Sequence, residues 1–190
     1  GRPERNSSKV YRPPADMGYR TFQWVTSDER IPFMDLAAFD LPTFLRGATQ
    51  EVFDTMLSMT LTENGNTGFP EADRIVGSVS VAGSVSGTVN IHVSNAFACQ
   101  ITANMLGMEL DEIESDEEVH DVIGELSNMI GGDLKSRLCD AGFECELSIP
   151  SITSGRDFNI ESKGWAVNEV VSFQHGDHIA LIEAFIKNGG

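Results

Sequence analysis

The 190-residue chain is predicted to fold as an α+β protein in which helices pack on an antiparallel sheet. The first observation is the order of its periodic segments, which runs helix, strands, two helices, strands. The second is that neighbouring strands are joined by short Gly-containing turns, which are typical of antiparallel hairpins. The third is a faint internal repeat, because overlaying Thr49–Met56 on Asp121–Asn128 relates two pseudo-symmetric halves.

The first half is predicted to contain one long helix, two strands and a connecting helix. Apolar residues recur at helical spacing over Thr43–Met59. Alternating residues predict strands at Arg74–Ala82 and Gly87–Ser94, joined by a Gly/Ser turn. The connecting helix is expected over Ala96–Leu106, with Asn95 as its N-cap.

The second half begins with the longest predicted helix, which is expected to run from the N-cap residue Ser115 to about Ala141. Glu118 stands at the third helical position, which completes a capping box, and Gly142 ends the helix. Three strands follow, at Phe143–Ile149, Trp165–Gln174 and His178–Lys187.

Residues 1–40 differ from the rest of the chain. They contain four prolines, an excess of arginine and no helical or strand periodicity. This composition predicts an N-terminal extension or linker of unknown role. Apolar residues of its second half are candidates to attach it to the folded body, namely Phe22, Trp24, Ile31, Phe33, Leu36 and Phe39. Residues 41–188 are expected to form one domain.

Charge is distributed unevenly along the chain. The formal net charge is −16; residues 1–30 carry 6 basic and 4 acidic residues, and the remainder carries 7 basic and 25 acidic residues. An acidic body of this kind repels phosphate backbones and anionic lipid headgroups. No apolar run approaches the ~18 residues needed to span a bilayer. Neither nucleic acid nor a membrane is therefore an expected partner.

Cysteine and histidine usage gives no indication of a metal site. Cys99, Cys139 and Cys145 lack metal-ligand spacing, and three thiols without a secretory signal indicate a reduced, cytoplasmic protein. The four histidines likewise lack a third metal ligand at recognisable spacing. No metal or other cofactor of its own is therefore expected.

The segment Asp121–Gly132 carries the candidate functional residues. At about 100° per residue, Glu125 and Asn128 share one helix face, and together with Asp121 and Gly132 they fall within roughly 60°. Apolar residues at helical spacing lie on a separate, core-facing stripe. Gly132 leaves a gap where a side chain would obstruct an approaching molecule. A solvated helix face is the alternative interpretation of this flank.

This helix resembles the glutamate–asparagine signature of the CheC/CheX/FliY phosphatases of bacterial chemotaxis. The resemblance lies in GELSNMIGG, followed by Ser-Ile-Pro ending at Pro150. Asn128 and Pro150 are separated by 21 residues, one fewer than is usual in the family. In the first half, Phe53 and Met56 stand where a second Glu–Asn pair would lie. The chain therefore resembles CheX, which keeps one active pair, more than CheC, which has two. The resemblance covers about residues 41–188.

The resemblance implies a phosphatase that hydrolyses the aspartyl phosphate of a CheY-like response-regulator receiver domain, with Mg²⁺ bound in that partner. It implies that Glu125 and Asn128 are the catalytic pair, with Asn128 positioning the attacking water and Glu125 anchoring the partner's lysine. Asp121 and Gly132 are then expected to contact the partner. A homodimer is also implied, since CheX-like proteins dimerise through their sheets.

The sequence is also compatible with two other functions. The same scaffold would serve as a non-catalytic docking or output module that binds a receiver or a flagellar-switch protein. It would also serve as an assembly protein whose edge strands pair across a homodimer. A catalytic role predicts loss of turnover when Asn128 is replaced, which separates the enzyme from both alternatives.

Overall fold

The computed structural model describes residues 36–65, 68–70, 73–156, 158, 160 and 163–189. Most of the predicted N-terminal extension therefore lies outside the described residues, and only its last part, residues 36–40, lies within them. In that part, Leu36 and Phe39 are buried in the hydrophobic core. The core thus includes side chains that precede the predicted domain boundary at residue 41.

Three α-helices and two single-turn 3₁₀-helices lie within the described residues. The α-helices are α1 (Leu41–Leu57), α2 (Asn95–Leu106) and α3 (Asp116–Asp140). The 3₁₀ turns are Leu36–Ala38 and Leu110–Glu112. The long helices of the two predicted halves, α1 and α3, pack against each other. None of the described helices is long and apolar enough to cross a bilayer.

Seven strands form one antiparallel sheet in the described part of the chain. Their bounds are β1 Thr62–Glu63, β2 Asp73–Gly83, β3 Val85–Ser94, β4 Cys145–Leu147, β5 Ser151–Arg156, β6 Val167–His175 and β7 His178–Asn188. The order across the sheet is β1-β6-β7-β3-β2, and β4 and β5 both pair with β2 at the far edge. The predicted α+β class with an antiparallel sheet is confirmed.

One face of the sheet is apolar and carries the core. Side chains alternate along a strand, so Ile75 and Val79 of β2 share this face with Val89 and Ile91 of β3. All four side chains are buried together with apolar residues of the helices. The apolar stripe of α3, of which Leu126 is a fully buried member, packs onto this face.

Side-chain caps explain where two of the helices begin. Ser94, and not Asn95 as predicted, caps α2, because its Oγ accepts a hydrogen bond of 3.2 Å from the third backbone N–H after it. Ser115 caps α3 as predicted, with its Oγ accepting from Glu118 N at 3.3 Å. The Glu118 carboxylate accepts from Glu114 N at 2.8 Å, so the reciprocal bond of the predicted capping box forms one residue earlier.

Sequence periodicity misses β1 and β5, two of the strands at the edges of the sheet. Ser151–Arg156 is small, polar and mostly exposed, so it shows no apolar alternation, and only its pairing with β2 makes it a strand. The strand expected over Phe143–Ile149 is shorter and contains only β4. Ser148 N still donates to Ser80 O of β2, but Pro150 has no N–H to donate, which interrupts the ladder before β5 begins.

Candidate functional site

Small residues allow α3 to lie close to β2. A Cβ atom on Gly131 of α3 would overlap with Val79 Cγ2 of β2. A Cβ atom on Gly77 of β2 would likewise overlap with Ser127 Oγ, which donates a hydrogen bond to Ile123 O at 2.7 Å. Val79 and Ser127 are both buried, so neither side chain has free space into which it can move. The two glycines therefore set the height of α3 above the sheet.

The connection between β4 and β5 runs along one side of α3. Leu147 Cδ1 lies 3.4 Å from where a Cβ atom on Gly131 would stand, and Pro150 Cγ lies 3.6 Å from the equivalent point on Gly124. Gly124 and Gly131 are about two helical turns apart on one side of α3. Asn128 lies between them on that same side, since it follows Gly124 by four residues. The connection from Leu147 to Pro150 therefore borders Asn128.

The predicted site residues occupy one flank of α3. Asp121 and Glu125 are exposed, and Asn128 and Gly132 are half-buried. None of the Asp121, Glu125 and Asn128 side chains forms a hydrogen bond or an ion pair with another described residue. No heavy atom lies within 4 Å of where a Cβ atom on Gly132 would stand, so this position is open. A carboxylate and a carboxamide are thus available for a partner beside an open position on the helix.

A different side of α3 is attached to α1. Arg137 Nε donates to Asp133 Oδ2 at 2.8 Å, and its guanidinium lies 5.2 Å from the centroid of the Phe44 ring in α1. The hydrogen bond and the charge of Asp133 raise the pKa of Arg137 above its usual value. Arg137 lies about 120° around the helix axis from Gly131. This contact with α1 therefore lies on a different side of α3 from the β4–β5 connection.

Three histidines, His92, His175 and His178, make contacts within the fold. His92 Nε2 lies 2.9 Å from Glu183 Oε2, and His175 Nδ1 lies 3.0 Å from a backbone carbonyl oxygen. His178 stacks on the buried Phe97 ring with centroids 4.8 Å apart. Across the residues that the structure describes, no three His, Cys, Asp or Glu side chains are grouped so as to hold a metal ion.

Sequence reasoning missed Gly77 and Ser127, which position the site without belonging to its exposed flank. A glycine inside a strand pattern is a signal of close backbone approach. Ser127 and Gly131 stand one turn apart, which gives α3 a stripe of small residues. Both features are consistent with a close contact between β2 and α3. However, Gly77 and Ser127 lie 50 residues apart in the sequence, and periodicity within one segment does not predict which distant segments meet.

The sequence also matches a known protein family. The family model described as "Chemotaxis phosphatase CheX" matches residues 75–174, from β2 through α3 to β6. The match covers more than half of the chain and includes the whole candidate flank of α3. The chain belongs to the CheX family. The resemblance found in the sequence is thereby confirmed, and the family is one of phosphatases.

A named CheX enzyme is similar to the chain at the level of sequence. The CheY-P phosphatase CheX of Thermotoga maritima is 29% identical over 113 residues, which make up 59% of this chain and 71% of that protein. The match supports the predicted enzyme class, a response-regulator phosphatase.

Solved structures of CheX proteins share the fold. The chemotaxis protein CheX from Vibrio vulnificus superposes with a TM-score of 0.68 at 25% identity, covering 78% of this chain and 97% of that one. A chain of the CheX–CheY–BeF₃–Mg²⁺ complex from Borrelia burgdorferi gives a TM-score of 0.66 at 22% identity, covering 78% and 99%. Both agree with the antiparallel sheet and packed helices described above.

Proposed function

We propose that this CheX-family protein hydrolyses the aspartyl phosphate of a CheY-like receiver domain. The observation that carries the proposal is the flank of α3, where Glu125 and Asn128 stand unpartnered by other described residues beside the open position at Gly132. The Thermotoga relative is named a CheY-P phosphatase, and a protein of similar fold forms the Borrelia complex with CheY, BeF₃ and Mg²⁺. The similarity to these two proteins supports a receiver domain as the partner.

The reaction needs little covalent chemistry from the enzyme. Water attacks phosphorus, the bond from phosphorus to the aspartate carboxylate oxygen breaks, and the products are inorganic phosphate and free aspartate. Because an acyl phosphate is already labile, the enzyme has mainly to place water in line and to stabilise the spreading charge. We assign the Mg²⁺ of the reaction to the receiver; the Borrelia complex contains both CheY and Mg²⁺.

Asn128 is the residue proposed to position the water. Its carboxamide oxygen accepts a hydrogen bond from water, while its NH₂ group donates to a phosphoryl oxygen. The side chain is half-buried, which restricts the orientations that it can adopt. A carboxamide restricted in this way loses less entropy when it binds water in the reactive geometry.

Glu125 is proposed to anchor the complex. Its exposed carboxylate lies one turn of α3 from Asn128 and is free to accept a charge-assisted hydrogen bond from the partner's phosphate-site lysine. General base catalysis by this carboxylate is not needed, because a metaphosphate-like transition state requires little early removal of the proton from water.

Asp121 and Gly132 are proposed to contact the partner at the two ends of the flank. Asp121 adds a second exposed carboxylate one turn before Glu125. At Gly132, the open space allows another backbone or side chain to approach α3 closely. Together these residues define a receiver footprint about three turns of helix long.

A homodimer in the cytoplasm is the proposed form of the enzyme. The edge strands β1 and β5 each pair on one side only within the described residues, which leaves backbone groups for pairing with a second copy. Light scattering at micromolar concentration should then give twice the monomer mass. The monomer mass at all concentrations would contradict this part of the proposal.

The proposed activity is tested by the decay of a phosphorylated receiver in Mg²⁺ with and without the protein. Receivers from the same cell should be screened as a panel. We expect faster decay for at least one receiver. If one receiver binds but decays at its spontaneous rate, the protein is instead a non-catalytic docking module.

A further inference from the structure

Ile149 is the most exposed large hydrophobic side chain in the described part of the chain, with 88% of its surface accessible. The other exposed large hydrophobic residues there are Met56, Leu106 and Leu110, at 48–52%. Single exposed apolar side chains are normal on protein surfaces, so exposure alone assigns no role. The rigidity and the position of Ile149 are what distinguish it.

The backbone on both sides of Ile149 is held in place. Ser148 N donates to Ser80 O at 2.8 Å, and Ser148 Oγ accepts from Ser80 N at 3.0 Å. On the other side, the Pro150 ring packs against Gly124 of α3, and the next residue pairs with Ser78 of β2. The chain is therefore fixed to the sheet and to α3 while the Ile149 side chain projects into solvent. Because the backbone is already ordered, docking of this side chain requires no ordering of a mobile loop.

Ile149 also lies at the level of the candidate catalytic residue along α3. Leu147 contacts α3 at Gly131 and Pro150 contacts it at Gly124. Three extended residues span about 10 Å, which matches the rise of about 10.5 Å over the seven helical residues between these contacts. Measured along the axis of α3, Ile149 is thereby placed between the two contacts and within about one helical turn of Asn128.

We propose that Ile149 is an apolar anchor that docks against a nonpolar surface of the phosphorylated receiver beside its aspartyl phosphate. The inference rests on the proposed function, since a receiver that presents its phosphoryl group to Asn128 has to approach the side of α3 bordered by Ile149. The polar contact at Glu125 and the apolar contact at Ile149 then lie on either side of the reacting group. Ile149 contributes binding free energy and takes no part in the chemical step.

The test is the variant Ile149→Ser, with Met56→Ser as the matched control. Met56 is a second exposed apolar side chain, but it lies on α1, which packs on a different side of α3. We expect Ile149→Ser to raise both the KM for the phosphorylated receiver and the Kd for a BeF₃⁻-activated receiver by about tenfold or more. We expect kcat at saturating receiver to remain within about twofold of the unmodified protein, and Met56→Ser to change none of these values. Ile149→Leu should restore the original Kd.

The outcomes separate this inference from the proposed function. If the unmodified protein binds the activated receiver but does not speed decay, the proposed function fails, and the Kd comparison still tests Ile149. If the unmodified protein is active and Ile149→Ser keeps the original KM and Kd, the inference is overturned. A lower kcat with unchanged KM and Kd would also overturn it, because Ile149 would then act on the chemical step.

Discussion

Gly131 of α3 lies directly against Val79 of β2, with no room for a single methyl group between them. The next residue, Gly132, has the opposite environment, since no heavy atom lies within 4 Å of its Cβ position. Two neighbouring glycines thus serve different purposes. Gly131 allows α3 to pack on the sheet, and Gly132 leaves the exposed flank open.

The substitution Gly131→Ala should destabilise the fold. The added methyl group would overlap with Val79, which is buried and β-branched and therefore has few alternative rotamers. We expect a loss of about 1–3 kcal/mol in the free energy of unfolding, measured by urea denaturation. Gly132→Ala is the control and should leave the stability unchanged or raise it by about 0.5–1 kcal/mol. Equal destabilisation by both substitutions would contradict the assigned packing.

A larger side chain at Gly132 should interfere with the partner and not with the fold. Gly132→Leu places a bulky group in the open position on the proposed receiver footprint. We expect the KM for the phosphorylated receiver to rise by about tenfold or more, while the midpoint of urea denaturation does not fall. Unaltered KM in a folded Gly132→Leu protein would remove Gly132 from the footprint.

Replacing Glu125 should weaken binding more than turnover. Glu125→Gln keeps the shape of the side chain but removes the charge that is proposed to meet the partner's lysine. We expect the Kd for a BeF₃⁻-activated receiver to rise by about tenfold, the size of a lost charge-assisted hydrogen bond. The salt dependence of Kd should also become shallower in the variant, which titration at low and high ionic strength would measure. A purely catalytic loss with unchanged Kd would show that Glu125 acts as a general base.

Alkaline pH should destabilise the protein through Cys145. Burial, together with the neighbouring Cys139 thiol, raises the pKa of Cys145 from 9.0 to about 11. The folded state therefore favours the protonated thiol, and this contribution to stability is complete below pH 9 and is lost as pH rises through about 11. The free energy of unfolding should decrease more steeply over this window in the unmodified protein than in Cys145→Ala. Parallel pH profiles for the two proteins would contradict the shifted pKa.

Helical periodicity was sufficient to place the candidate flank on one helix. The spacing of Glu125, Asn128 and Gly132 depends only on local geometry, and the structure keeps all three in α3. The cap at Ser115 was predicted for the same reason, since its partner N–H lies three residues away. Features that a single helix determines are therefore accessible from the sequence.

Features that depend on pairing between segments far apart in the sequence could not be predicted from local patterns. The strand Ser151–Arg156 has no apolar face of its own and exists because it pairs with β2, which lies far away in the sequence. The contact of Gly77 with Ser127 likewise joins two separate elements. The exposure of Ile149 follows from how Ser148 and Pro150 are held, which local composition does not reveal.

The most direct test of the central claim compares the unmodified protein with Asn128→Ala at saturating concentrations of a phosphorylated receiver in Mg²⁺. If Asn128 positions the attacking water, the stimulated rate of dephosphorylation should fall by about 100-fold or more. The Kd for the BeF₃⁻-activated receiver should stay within about threefold of the original value. A variant that binds and dephosphorylates the receiver as fast as the unmodified protein would contradict the proposed mechanism.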